Sequence, residues 1–221
     1  MTTLLRVDAS IRVDGSVSRA LADSAEAAWK SEHPDGVVVR RDLGRHPIPA
    51  DVWASVIAGK LGMPTPEDSD RADYADAKAL TDEIVNEFVS ADAVLLAVPL
   101  YNWGIDQHVK TWIDLLLTVG ELQTDGLVAG KPIILTLARG GGYSEGAPKH
   151  GWDHATPYLE RIFGDALQMD LRKAVAELTL APVNPAMESL IGASKVSEEE
   201  AHATAKEHAA TVARQLTRTA A

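Results

Sequence analysis

Three short stretches of this chain combine residue types and spacings that can do chemistry. The first, Ala9–Ser18, places Ser10, Gly15, Ser16 and Ser18 just ahead of a helical pattern. Hydroxyls beside a helix N-terminus can hold an anion such as a phosphate, because the first-turn N–H groups lack partners and the dipole is positive there. The same serines also suit ordinary capping, with Ser16 as the cap and the others solvated. The second stretch, Leu100-Tyr101-Asn102-Trp103, follows the apolar run Ala91–Pro99. An aromatic tip carrying an amide suits a flat, hydrogen-bonding ligand, and we infer a flavin ring. The plain structural alternative is that the aromatics cap the core while Asn102 makes a turn. The third stretch is Arg139-Gly140-Gly141-Gly142-Tyr143-Ser144. Consecutive glycines let backbone approach a planar ligand and aim several N–H groups at it. Donors at a flavin's pyrimidine end would stabilise the negative charge that builds there on reduction, by the logic of an oxyanion hole. A flexible surface loop would read the same way. Neither a G-x-x-x-x-G-K-[ST] loop nor a G-x-G-x-x-G fingerprint is present, which argues against nucleoside-triphosphate and Rossmann chemistry.

The segments between these loops must place them. Thr2–Asp8, Val37–Leu43, Ala93–Val98 and Pro132–Leu137 predict four strands, and Leu171–Leu180 contains a fifth. The nearly unbroken apolar runs of the third and fourth suit strands buried on both faces of a parallel sheet. Helical spacing joins them. Leu21, Ala25, Ala28 and Trp29 mark the first helix, and Val109, Trp112, Ile113 and Leu116 mark another over His108–Leu117. A short amphipathic piece lies around Trp53–Leu61 after the Pro-rich link His46–Pro49. Thr65-Pro66-Glu67-Asp68 predicts a helix start, running to about Ser90 with Ala77, Leu80, Ile84 and Phe88 inside. Thr156-Pro157 predicts the cap of a helix carrying Leu159, Ile162 and Phe163, and Ser197–Glu200 spells a capping box opening the last helix. Alternating strands and helices predict an α/β fold, a doubly wound five-stranded parallel sheet in the order 2-1-3-4-5 with helices on both faces. Residues 1–221 are expected to form a single domain.

Composition narrows the function. A formal net charge of −11 argues against a nucleic-acid binder or a basic membrane-surface protein. The chain has no cysteine, which excludes disulfides, thiolate metal sites and redox dithiols, so any redox chemistry must come from a bound cofactor. The opening residues enter an apolar strand directly and no stretch matches a membrane span, so we expect a soluble, cytoplasmic protein.

Taken together, the three loops resemble the FMN-dependent NADH azoreductases, flavodoxin-like reductases of quinones and azo compounds. The resemblance covers the whole chain in element order. It rests on Ser10, Ser16 to Ser18, Pro99 to Trp103 with downstream Lys110 and Ile113-Asp114, and Arg139 to Tyr143. By position it implies that Ser10, Ser16, Val17 and Ser18 bind the FMN phosphate. Leu100, Tyr101, Asn102 and Trp103 would touch the isoalloxazine, while Ala138, Arg139, Gly140 and Gly141 would lie at its pyrimidine side. Asn102 and Tyr143 are the expected catalytic residues, Asn102 orienting the ring near its reactive nitrogen and Tyr143 stabilising the reduced form. FMN would be held noncovalently, NADH or NADPH would reduce it, and a quinone or azo acceptor would take two electrons in a ping-pong cycle. The family also implies a homodimer with sites at its interface, to which Trp112 or Trp152 would contribute. Trp103 stands where phenylalanine is usual and Asp106 where proline is expected; Gly120–Gly130 is shorter than usual, and these departures bear on acceptor preference.

Other constellations are less productive. His150 and His154 have an i, i+4 spacing, but Gly151 breaks the helical pattern and no third ligand is nearby, so no metal is expected. Asp153 and Glu145 lack the partners that hydrolysis needs. The acidic surface keeps one alternative open, a flavodoxin-type electron carrier that does not oxidise NAD(P)H directly.

Overall fold

The computed structural model describes residues 1–64 and 72–219. Five strands, β1 (Thr3–Asp8), β2 (Val37–Asp42), β3 (Ala93–Pro99), β4 (Pro132–Ala138) and β5 (Asp170–Ala176), form one sheet in the order β2-β1-β3-β4-β5. Every pairing is parallel, with Leu4 between Val38 and Ala93 and Asp8 between Asp42 and Ala97. The five-stranded doubly wound fold expected from the sequence is therefore the one observed. β3 and β4 are buried at every position, as strands covered on both faces must be.

Alternation along the strands divides the core into two layers. Leu5, Val7, Val94, Leu96, Val98, Ile133, Leu135 and Leu137 face one side, where α2 (Val52–Lys60), α3 (Tyr74–Ser90) and α4 (Gln107–Leu116) pack with Phe88, Trp112 and Phe163 among them. Leu4, Leu95, Ala97 and Ile134 face the other, against α1 (Val17–Glu32) and α7 (Ile191–Thr219). Ala205, Ala209 and Ala213 recur every four residues on α7, which brings that helix close to Ala22, Ala25 and Trp29. Two shorter helices complete the set, α5 (Glu121–Thr124) and α6 (Ala155–Leu159), the latter continuing as a π-helical stretch over Glu160–Ala166.

Several local expectations are corrected. The predicted helix start at Thr65-Pro66-Glu67-Asp68 lies outside the described residues. α3 itself begins at Tyr74, because extended Asp73 accepts the Ala75 N–H at 2.7 Å and serves as its cap. The last helix opens at Ile191 after a 3₁₀ turn over Pro185–Leu190, not at Ser197. Ser197 looks like a cap, but its hydroxyl accepts the Glu177 N–H at 2.9 Å instead. Thr156 likewise does not cap α6. Asp153 does, taking the Ala155 and Thr156 N–H groups at 2.9 Å each. Trp112 is fully buried against Phe88 and Phe163, so it belongs to the core and not to a subunit interface.

Candidate active site

The chain passes from β2 on one side of β1 to β3 on the other, so the sheet switches direction between β1 and β3. Crevices at such switch points, beyond the carboxyl ends of the strands, are where open α/β sheets bind ligands. A cleft of about 270 Å³ opens there, lined by Ser10, Ser16, Val17, Ser18, Leu100, Tyr101, Ala138 and Gly140 from the three expected loops. Arg12, Gly15, Pro99, Thr179 and Leu180 complete its wall. A roomier hollow of about 750 Å³ lies at the opposite end of the sheet around Asp92, Lys131 and Asp170. It has neither a helix N-terminus nor a glycine loop, so the chemistry belongs at the smaller cleft.

The first wall is the β1–α1 loop. Ser16 caps α1, its hydroxyl accepting the Arg19 N–H at 3.5 Å and lying 3.4 Å from the Ser18 hydroxyl. Ser10 accepts the Arg12 N–H at 3.2 Å and meets the Tyr101 hydroxyl at 3.4 Å, tying this loop to the aromatic tip. The loop is anchored from below by Arg19, which grips Asp42 at 2.6 and 2.7 Å and donates to the Ser10 carbonyl at 2.7 Å. Gly44 packs so closely that a Cβ there would stand 2.1 Å from the Ser10 carbonyl oxygen. Capping and anion-holding are thus compatible uses of the same turn.

Burial on its own would raise the pKa of Asp42, but the Arg19 hydrogen bond, the Arg45 N–H and both arginine charges hold the carboxyl below its usual value. A carboxyl depressed on folding stabilises the protein above its unfolded pKa, and that contribution fades as the pH falls through the folded value. Acid titration of stability should therefore show a loss below about pH 4. Asp42→Asn should be less stable at neutral pH and show a shallower acid loss in urea melts. An identical acid slope in both proteins would contradict this linkage.

The aromatic tip is a tight turn in which the Tyr101 and Gly104 N–H groups each donate to the other residue's carbonyl, at 3.1 and 2.9 Å. Asn102 and Trp103 both take positive φ, +47° and +65°, as the two central residues of such a turn require. For a tryptophan that conformation costs about 1–2 kcal/mol. It is held by the His154 N–H, which donates to the Trp103 carbonyl at 2.8 Å, and by edge-to-face packing on Trp152 at 5.6 Å. Both indoles remain half-exposed. Asn102 projects from the tip and lines an adjoining hollow with Ile105 and Asp106. Asp106 takes over the work of the expected proline, its buried carboxylate accepting the His108 and Val109 N–H groups to start α4.

The glycine loop behaves only partly as expected. The N–H groups of Gly140, Gly141 and Gly142 have no protein acceptor among the described residues and are available to a ligand. Those of Tyr143 and Ser144 are taken, donating to Glu177 at 3.2 and 3.4 Å. The Arg139 side chain is also committed, at 2.7 Å from both Asp153 and Glu177 and 2.9 Å from the Thr156 hydroxyl. Its backbone N–H is committed as well, donating to the Ala176 carbonyl at 2.8 Å. The Tyr143 ring lies close to Gly141. Burial, with the Asp153 and Glu177 charges, raises the Tyr143 pKa against the pull of Arg139, so its phenol stays a hydrogen-bond donor at neutral pH.

A fourth loop, after β5, was not anticipated. Leu178 (φ +60°), Thr179 and Leu180 donate their N–H groups back to Gly141, Arg139 and Gly140, clipping this loop over the glycines. A Cβ on Gly140 would stand 2.7 Å from the Leu180 Cδ1, so a side chain there would displace that leucine. Glu177-Leu178-Thr179-Leu180 carries no glycine or serine to announce such a turn, so nothing in its spelling marks it. Arg12, the lone cation inside the serine loop, is a cleft residue whose signal does stand in the sequence. Among the described residues no three His, Asp or Glu side chains gather as metal ligands, and no helix is long and apolar enough to cross a membrane.

This architecture has known relatives. The family defined by the flavodoxin-like fold matches residues 2–189. An FMN-dependent NADH:quinone oxidoreductase of Parafrankia sp. (strain EAN1pec) is 36% identical over 215 residues, covering 95% of this chain and 100% of its own. Another of the same name, from Frankia casuarinae, is 37% identical over 210 residues, covering 93% and 98%. The chain belongs to the FMN-dependent NADH:quinone oxidoreductase family. Among solved structures, the azoreductase of Bacillus anthracis str. Sterne superposes with a TM-score of 0.74 at 26% identity, over 96% of this chain and 100% of that one.

The family's cofactor can be tested against the cleft itself. A phosphate needs N–H donors, hydroxyls and positive charge, and the α1 N-terminus, Ser10, Ser16, Ser18 and Arg12 offer all three. A ring with carbonyl and ring-nitrogen acceptors needs donors along one edge, and the Gly140–Gly142 N–H groups lack any other use among the described residues. The residues present fit FMN.

Proposed function

We propose that residues 1–221 act as one domain that binds FMN noncovalently and passes two electrons from NADH or NADPH to a quinone or azo compound in a ping-pong cycle. The observation that carries this reading is the meeting of the serine loop, the aromatic tip and the donor-rich glycine loop in one cleft at the sheet's switch point. When bound, FMN would supply the two-electron redox chemistry, and the protein would contribute binding, orientation and electrostatics. Ser10, Ser16, Val17 and Ser18 would hold the phosphate. Leu100, Tyr101, Asn102 and Trp103 would border the ring, with Asn102 orienting it and the half-exposed indole shielding it from water. Ala138 and Arg139 would lie along its pyrimidine edge, Gly140 and Gly141 would present backbone donors to it, and the Tyr143 Oη–H would donate there. No side chain need act as an obligatory nucleophile.

The exposed Trp103, Trp152, Ile11 and Val13 around the loop tips support a homodimer closing over the site, in a cytoplasmic setting suited to NAD(P)H. Steady-state rates at several fixed quinone concentrations test the cycle. Parallel double-reciprocal lines against NADH are expected, and intersecting lines would overturn it. Sedimentation of the purified protein tests the dimer, and a monomer at working concentration would remove it.

A further inference from the structure

We propose that Arg12 reads the terminal phosphate of the flavin and makes the cleft selective for a flavin ending in a phosphomonoester; this rests on the FMN reading above. Arg12 lines the cleft, and among the described residues it is the one charged residue that does. Its Nη2 lies 3.4 Å from where a Cβ on Gly15 would stand, so the guanidinium rests against the turn that caps α1. Gly15 has φ +67°, and the bare backbone there leaves room for that placement.

The other guanidinium groups at this end of the sheet are already occupied. Arg6 pairs with Asp8, Asp23 and Glu26, Arg19 and Arg45 with Asp42, and Arg139 with Asp153 and Glu177. Arg12 has no ion pair among the described residues. Its own N–H bonds the Ser10 hydroxyl, so the backbone that carries it is fixed while the side chain is free to turn.

Electrostatics gives that free charge a purpose. The chain carries a formal charge of −11, which opposes the approach of a phosphomonoester. The α1 dipole offers only about half a unit of positive charge. A guanidinium adds a full charge and a planar fork of donors matched to phosphate oxygens. A flavin ending in a hydroxyl would draw nothing from it.

The test compares FMN with riboflavin. The full chain, freed of flavin, is titrated with each while flavin fluorescence is followed, for wild type, Arg12→Ala and Arg12→Lys. Arg12→Ala is expected to weaken FMN roughly 10- to 100-fold, the range for a lost hydrogen bond to a charged group, and to leave riboflavin within about twofold. Arg12→Lys, which keeps the charge without the fork, should fall between. Added salt should weaken FMN binding to wild type more than to Arg12→Ala. The proposal is overturned if Arg12→Ala weakens both flavins equally, or leaves FMN unchanged while wild type binds both. Should wild type bind neither, the FMN reading itself fails and this proposal with it.

Discussion

Arg139→Met should lower the free energy of unfolding by about 3–5 kcal/mol and loosen the grip on FMN, because it strands two buried carboxylates. Arg139, Asp153 and Glu177 are each at most 15% exposed at the side chain, so the charges are poorly screened. Each carboxylate also has structural work. Glu177 accepts the Tyr143 and Ser144 N–H groups, and Asp153 caps α6. Without the cation the two anions must separate or take up a proton, and either change drags the glycine loop and the α6 entry with it. Adding Asp153→Asn to Arg139→Met removes one uncompensated charge and should recover part of the stability. Urea unfolding measures the first effect and retention of flavin on a desalting column the second. A variant within about 1 kcal/mol of wild type would mean that the charge triad is solvated after all.

Trp112→Ala should cost a similar amount, about 3–5 kcal/mol, through a different cause: an unfilled cavity. Trp112 is wholly buried, with Phe88 edge-on at 5.7 Å and Phe163 at 6.1 Å. Its indole N–H has no partner among the described residues, so Trp112→Phe would forfeit volume but no hydrogen bond and should be much milder. Since the side chain touches no part of the cleft, flavin bound well below the melting temperature should keep its normal spectrum in both variants. Thermal melts and urea midpoints decide the matter. Equal losses for alanine and phenylalanine would show that ring packing contributes little.

The sheet was legible from sequence because its central strands need an unbroken apolar spelling. AVLLAVP and PIILTLA are buried on both faces and leave no other reading. The three loops were legible for a related reason, since hydroxyls, an aromatic tip and consecutive glycines stand at the strand ends where ligands bind. The misplaced caps show where local spelling loses to tertiary structure. Ser197 and Thr156 have good capping chemistry, yet the Glu177 backbone claims one hydroxyl while Arg139 and Asp153 claim the other. The stripe of Val109, Trp112 and Leu116 reads as mostly core and is buried; an interface role for Trp112 came only from the resemblance. Arg139 looked available beside glycines, but both of its carboxylate partners come from distant segments, 14 and 38 residues along the chain. Leu178 to Leu180 were missed because their role depends on a positive φ that leucine rarely announces.

The most direct test of the central claim is anaerobic mixing of the FMN-loaded protein with NADH, following the visible absorbance of the flavin, and then adding a quinone. The account predicts rapid bleaching by NADH and recovery of the yellow spectrum on quinone addition. A bound flavin that neither NADH nor NADPH bleaches would contradict it and point to an electron carrier of flavodoxin type.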